Sequence, residues 1–352
     1  MAEKKEFNTL EDFSKSLIEA IENCAAQHNQ EIRITKTNAI KDNDNSKSAI
    51  SVSFGDSGIA ETIYPDDMYK FYKNIDISID KIAETAYLKL YDAHLHAPKI
   101  DLKNIGEDAC KHLQFKLVNK SLNPEMAKLP HLDVPGDYMA VPIYVINDYG
   151  DSRATTLVTE NFQKTVLKMT DDELLKAAKN NGLNVENFRC ERLNSVMTKL
   201  MSMDGMPPEI AEIMTNEPNL MYVLTSNSTY NGAVAIASPE VLQNLVPGAI
   251  TKDYPEETEY YIIPSSIHEV LCVPYSVISD PAELHEMCCD VNEHEVEPSE
   301  VLGQNILHYS TKTHELNVCN TLAELKTIHE NETLNKHEKE TVSKTVGRGK
   351  KV

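Results

Sequence analysis

Leu10, Phe13, Leu17, Ile21 and Cys24 recur at spacings of three and four, which puts one apolar stripe on a helix ending near His28. Thr9 and Asp12 stand at capping-box spacing ahead of it, with Asp where Glu is commoner. Residues 31–37 and 49–54 have strand character, and the polar KDNDNSK between them reads as a hairpin loop. A third short run, 60–64, leads into helical segments at 66–73 and 79–91. The pattern predicts a small α-β-β-β-α unit.

The middle of the chain begins near Asp101. Residues 113–119 read as a strand. Residues 138–147 are apolar on both faces and therefore largely buried, with Pro142 implying a bulge or an edge position. Asp148-Tyr149-Gly150-Asp151 makes a turn, and 152–158 returns as the partner strand. Two helices follow. Thr170 and Glu173 form a capping box on the second, and Gly182 stands past its end as a C-cap.

The last third alternates hairpins with helices. Residues 221–225 and 233–236 are predicted to pair, Ser238 to cap a helix, and Pro239 to occupy its first position. Strands at 259–263 and 267–273 flank Pro264-Ser265-Ser266. Asp280, Pro281 and Glu283 open a helix whose inner stripe is Leu284, Cys288 and Val291, and 306–309 with 315–318 make a final hairpin. The predicted class is α+β: antiparallel sheets built from hairpins alternating with single helices, in two or three modules. Residues 220–318 are expected to form one antiparallel sheet with helices on one face. The module boundaries expected are 1–97, 98–215 and 216–319, followed by a charged, flexible tail at 320–352.

Composition narrows the function classes. Over 352 residues the formal net charge is −21, which disfavours nucleic-acid phosphate and anionic lipid as partners. No apolar run approaches the roughly 20 residues of a bilayer span, and the start MAEKKEFNTLEDF lacks the apolar core of a secretory signal. Seven thinly spread cysteines fit reduced thiols of a cytoplasm better than a disulfide framework.

The strings YIIPSSIHEVLCVP (261–274), VEPSEVLGQNILHYSTKTHELNV (296–318) and LMYVLTSNSTYNGAVAIASPEVLQNL (220–245) resemble a bacterial family catalogued as domain of unknown function fifty-six eighty-eight. The TIYPDDMYKFY and FKLVNKSLNPEMAKLPH segments share the likeness, which runs to about Val318. The resemblance implies no catalytic residues and no cofactor.

Four features could carry chemistry. Ser265, Ser266, His268 and Glu269 supply a nucleophile, a base and an orienting acid. Yet His268 and Glu269 would point to opposite sides of a strand, and the plainer reading is a proline-led connection whose serines bond its backbone. His285 and Cys289 are four apart on a helix and could share a metal, with Cys288 and His294 nearby, but paired ligand motifs are missing and Cys288 reads better as core. His94 and His96 alternate and could sit on one strand face, but they stand alone in a helix-to-loop stretch ahead of Pro98, and the plainer reading is exposure. Met197, Met201, Met203 and Met206 could form an adaptable binding surface, against a plainer core-facing helix ending at Gly205. No phosphate-binding glycine motif occurs. The expectation is a cytoplasmic, non-enzymatic binding or accessory protein with a protein partner, no cofactor and no metal. The alternatives are a hydrolase using the Ser265–His268 region and an acidic nucleic-acid mimic, the latter weakened by lysines among the carboxylates.

Overall fold

The structure is a computed structural model that describes residues 5–39, 42–44, 47–55, 60–96, 107–148, 153–203, 219–278 and 281–319. The chain divides into two compact units, one of residues 1–109 with 161–168, the other of 110–160 with 169–352. The segment assigned to a charged tail lies outside the described residues.

The first unit opens with α1 (Leu10–Gln27), whose cap is as the sequence predicts: Thr9 Oγ1 accepts from the Asp12 N–H at 3.1 Å. Its stripe is buried, with Phe13, Leu17 and Ile21 fully enclosed. β1 (Ile32–Ala39), β2 (Lys47–Phe54) and β3 (Glu61–Ile63) form an antiparallel meander. Ile50, Val52 and Phe54 alternate along β2 into the core, as strand periodicity requires. Helices α2 (Pro65–Asn74) and α3 (Ile79–His96) complete the unit. Phe13 packs on Tyr69 and Tyr72 at ring separations of 5.1 and 5.3 Å. Both tyrosines also use their polar ends: Tyr69 and Tyr72 donate to the Phe7 and Lys5 carbonyls at 2.7 and 2.6 Å, tying the N-terminal segment to the core. A single π-helical turn, Phe162–Leu167, returns to this unit with Gln163 and Leu167 buried.

The second unit holds two antiparallel sheets. β4 (Leu113–Asn119), β5 (Leu132–Val134), β6 (Tyr138–Asp148) and β7 (Arg153–Leu157) make the smaller one, with β6 in its centre. Pro142 therefore sits in a central strand rather than at an edge. β4 pairs along one side of β6, while on the other side β5 pairs residues up to Ala140 and β7 pairs from Ile143. The Pro142 carbonyl accepts from Val158 on that second side. A strand residue's N and C=O point the same way, so the missing N–H falls in the gap between β5 and β7 and costs no ladder bond. The register shift lies three residues on, between Val145 and Asn147. Residues 149–151 of the expected turn, and residue 152 of the expected strand after it, lie outside the described residues.

α4 (Asp171–Gly182) carries the full capping box, with Thr170 and Glu173 each bonding the other's backbone. Gly182 has a different role from the one expected. Gly182 is the helix's last residue, with Leu183 as the cap, and it lies against β4, where a Cβ would meet Gln114 Cα at 3.4 Å.

The larger sheet contains β8 (Phe188–Arg192), β9 (Tyr222–Ser226), β10 (Glu259–Pro264), β11 (Glu269–Pro274), β12 (Leu307–Ser310) and β13 (Glu315–Val318), ordered β13-β12-β10-β11-β9-β8 and antiparallel throughout. Among the described residues, α5 (Leu193–Met203), α6 (Pro239–Ile250) and α7 (Pro281–His294) lie between these strands in sequence. Two expectations fail here. Residues 233–236 are not a strand but part of a 3-10 helix, Gly232–Ala237, and β9 pairs with β8 and β11 instead. The helices also cover both faces. Leu284 and Cys288 of α7 pack with Tyr261, Ile263 and Val273. Tyr222 is paired with Cys272, on the opposite face from Val273, and its hydroxyl donates to Asp253 just beyond α6. The two sheets are joined by side chains: Asn119 Nδ2 donates to Leu302 O at 3.1 Å, Tyr138 OH to Asn305 O at 3.0 Å, and Asn305 Nδ2 to Gly136 O. Among the described residues no helix is long and apolar enough to cross a membrane.

Candidate functional site

β11 begins at Glu269, so Ser265, Ser266, Ile267 and His268 form the connection from β10 rather than a strand. The serines turn to Glu269, not to His268. Ser265 Oγ and Ser266 Oγ donate to Glu269 Oε1 at 3.0 and 2.8 Å, and Ser266 Oγ accepts from the His268 backbone N–H at 3.1 Å. Ser266 is buried. Both nitrogens of His268 are engaged elsewhere. Nδ1 accepts from the Asn231 N–H at 3.4 Å, which leaves Nε2 protonated and facing Glu300 Oε1 at 3.3 Å. Its backbone carbonyl accepts from Thr225 Oγ1 at 2.9 Å, and Ile267 exchanges backbone bonds with Ala233 and Glu300. The connection thus ties together the end of β9, the 3-10 helix and the 297–300 turn. Sequence spacing brought the four box residues into one segment but gave no sign of Glu300 or Asn231, which meet His268 only through the fold.

Gly232 lets this meeting happen. A Cβ there would fall within 3.0 Å of His268 O, Ser226 N and Thr225 Oγ1. The loop before it is strained as well: Thr229 and Asn231 have φ of +62° and +53°, the first costly for a β-branched residue. Beside this loop lies a cleft of about 190 Å³ bordered by Asn187, Phe188, Asn227, Ser228, Tyr230 and Asn231 among others.

The other sequence candidates separate. His285 Nδ1 and Cys289 Sγ do share a face of α7, 3.6 Å apart. Burial and the nearby carboxylates of Glu286 and Glu293 push the Cys289 thiol up, so it stays protonated. Cys288 turns into the core and His294 pairs with Asp290 on the surface. Among the described residues no three His, Cys, Asp or Glu side chains gather as a metal set. His94 and His96 lie on the last turn of a helix, in keeping with a helix-to-loop stretch rather than a strand face. His94 stacks on Phe54 at 4.8 Å and His96 bonds the Asp92 carbonyl. The methionine stretch is helical but not core-facing. No residue of α5 is fully buried, and Met197, Leu200 and Met203 are exposed, which favours the surface reading. Met206 lies outside the described residues.

In the first unit, α2, α3 and β3 enclose a groove of about 510 Å³ that sequence reading missed. Ile63, Met68, Phe71, Ile77, Ile82 and Ala86 give it an apolar lining, with Asp67 and Lys89 at its borders. Phe71 is 57% exposed. The spacing Met68–Phe71 on one helix and Ile82–Ala86 on the next was legible, but whether such stripes meet each other or leave a trough depends on the helix crossing.

A model of the family DUF5688, described as a family of unknown function, matches residues 10–311. No curated protein and no solved structure matches the chain.

Proposed function

Since the chain belongs to DUF5688, a family of unknown function, membership supplies no chemistry, and we propose from its own surfaces that it is a non-enzymatic binding protein of the bacterial cytoplasm that takes an apolar, basic helical segment of a protein partner into the groove of its first unit. The carrying observation is the groove itself, roomy, apolar and lined in part by an exposed phenylalanine. Covering one such side chain is worth roughly 1.5–3 kcal/mol. A helix with anchors at i and i+4 matches a trough between two helices. The net charge of −21 selects a basic partner and steers its approach. None of the seven cysteines is disulfide-bonded, which suits a reducing compartment.

The Ser265–Glu269 connection supports the same reading, because its hydroxyls and imidazole are used in joining loops. A hydrolase remains the second reading, favoured by the Glu300 carboxylate on His268. Selection of a displayed peptide library against the full chain tests the groove. Enriched peptides should be basic with apolar residues at helical spacing, and Phe71→Asp should abolish their binding. Peptides that bind the variant equally well would refute the proposal.

A further inference from the structure

The cleft beside the 226–231 loop has a chemistry of its own, independent of the apolar groove. None of the described residues lining it carries a charge. Two of its carboxamides are half used in a particular way. Asn187 Nδ2 donates to Asn181 O and Asn227 Nδ2 to Glu186 O, both at 2.7 Å. Each amide is thereby held in place by its NH₂ group, and each Oδ1 is left as an oriented acceptor. The Asn231 side chain makes no hydrogen bond among the described residues, so it offers both a donor and an acceptor. Ser228 adds a hydroxyl, paired with Ser226 at 3.1 Å. Tyr230, half-buried, and Phe188 present aromatic surface to the same space.

Fixed neutral acceptors select a ligand rich in O–H donors. Aromatic walls select one with an apolar C–H face. The absence of charge among the described lining residues, in a chain of net charge −21, selects against anions. A volume of about 190 Å³ admits one six-membered ring with its substituents. We infer that this cleft is a binding site for a single neutral monosaccharide unit, gripped by the Asn187, Asn227 and Asn231 amides with its ring face on Tyr230. Thr229 and Asn231, both with left-handed backbone, set the course of the loop that borders it.

The test is saturation-transfer NMR on the full chain. The neutral probes are glucose, galactose, mannose, xylose and N-acetylglucosamine. Glucose 6-phosphate, adenosine and uridine form the comparison arms. At least one neutral sugar should bind with a Kd of about 1 mM or tighter, and glucose 6-phosphate should bind at least about ten-fold more weakly. Asn231→Gly, which keeps the left-handed backbone while removing the amide, and Tyr230→Ala should each weaken binding about ten-fold or more. Phe71→Asp, in the other unit, should leave it unchanged. Silence from all neutral sugars at 10-fold that concentration, preference for the phosphate or a nucleoside, or full binding by folded Asn231→Gly would overturn the assignment.

Discussion

Gly232→Ala adds one methyl group where three fixed atoms converge. The new Cβ would lie inside 3.0 Å of His268 O, Ser226 N and Thr225 Oγ1, two of which are backbone atoms that cannot rotate away. Gly232 does not need a left-handed backbone, so the penalty is purely one of space. Overpacking of this kind costs ~1–3 kcal/mol. Relief requires the 3-10 helix to back off the sheet, stretching the Ala233 N–H to Ile267 O bond at 3.2 Å and the Thr225 to His268 O bond at 2.9 Å. Each is worth ~0.5–1.5 kcal/mol, so the total is ~2–6 kcal/mol, a large share of a typical domain stability of ~5–15 kcal/mol. The assay is urea denaturation followed by alkylation of Cys272, which is fully buried in the second unit and reports that unit alone. Gly248→Ala is the control: it lies in α6 with nothing within 4 Å of its Cβ position and should stabilise by ~0.5–1 kcal/mol. A Gly232→Ala protein within about 1 kcal/mol of wild type would refute the reasoning.

Ile263→Ala should cost ~2–5 kcal/mol because Ile263 is enclosed, whereas Leu271→Ala, on the same face but half-buried, should cost less than half as much in the same titration. His268→Ala should lower the melting temperature, through loss of its bonds to Asn231 and Glu300, without changing hydrolysis of an esterase and amidase substrate panel. Turnover by wild type that vanishes in both His268→Ala and Ser265→Ala at unaltered melting temperature would instead establish the hydrolase. Burial pushes the Cys288 thiol up to about 11 from an ordinary 9.0. Its neutral form is the one the fold favours, so its contribution is complete below about pH 9 and is lost as pH rises from there through about 11. Cys288→Ala should therefore flatten the alkaline limb of a stability-against-pH profile measured by urea midpoints, and an unchanged limb would contradict that placement.

The sequence was readable where local chemistry decides the outcome. The α1 stripe and the Thr170–Glu173 box act within a few residues, and their helices are where the spacing puts them. It misled where long-range packing decides. Ala233–Val234–Ala235–Ile236 is a four-residue apolar run, which fits a strand or a buried helical turn equally, and only Gly232's approach to His268 selects the turn. Pro142 reads as a bulge or edge residue because its position between β5 and β7 depends on where two other strands stop. The box residues were visible as residue types. What they do depends on Glu300 and Asn231, each more than thirty positions away from His268.

The short return of residues 161–168 to the first unit bears on how this chain is made. On a ribosome, residues 1–109 emerge first but are missing their last piece, and roughly 3–10 s of synthesis through 110–160 pass before that piece exists. During that interval the nascent first unit waits incomplete while the smaller sheet of the second is appearing behind it. A gene cut after residue 109 would freeze this intermediate permanently, and one begun at 110 would carry 161–168 without the unit it belongs to. Neither unit is one unbroken stretch of chain, so no single cut in the gene separates them.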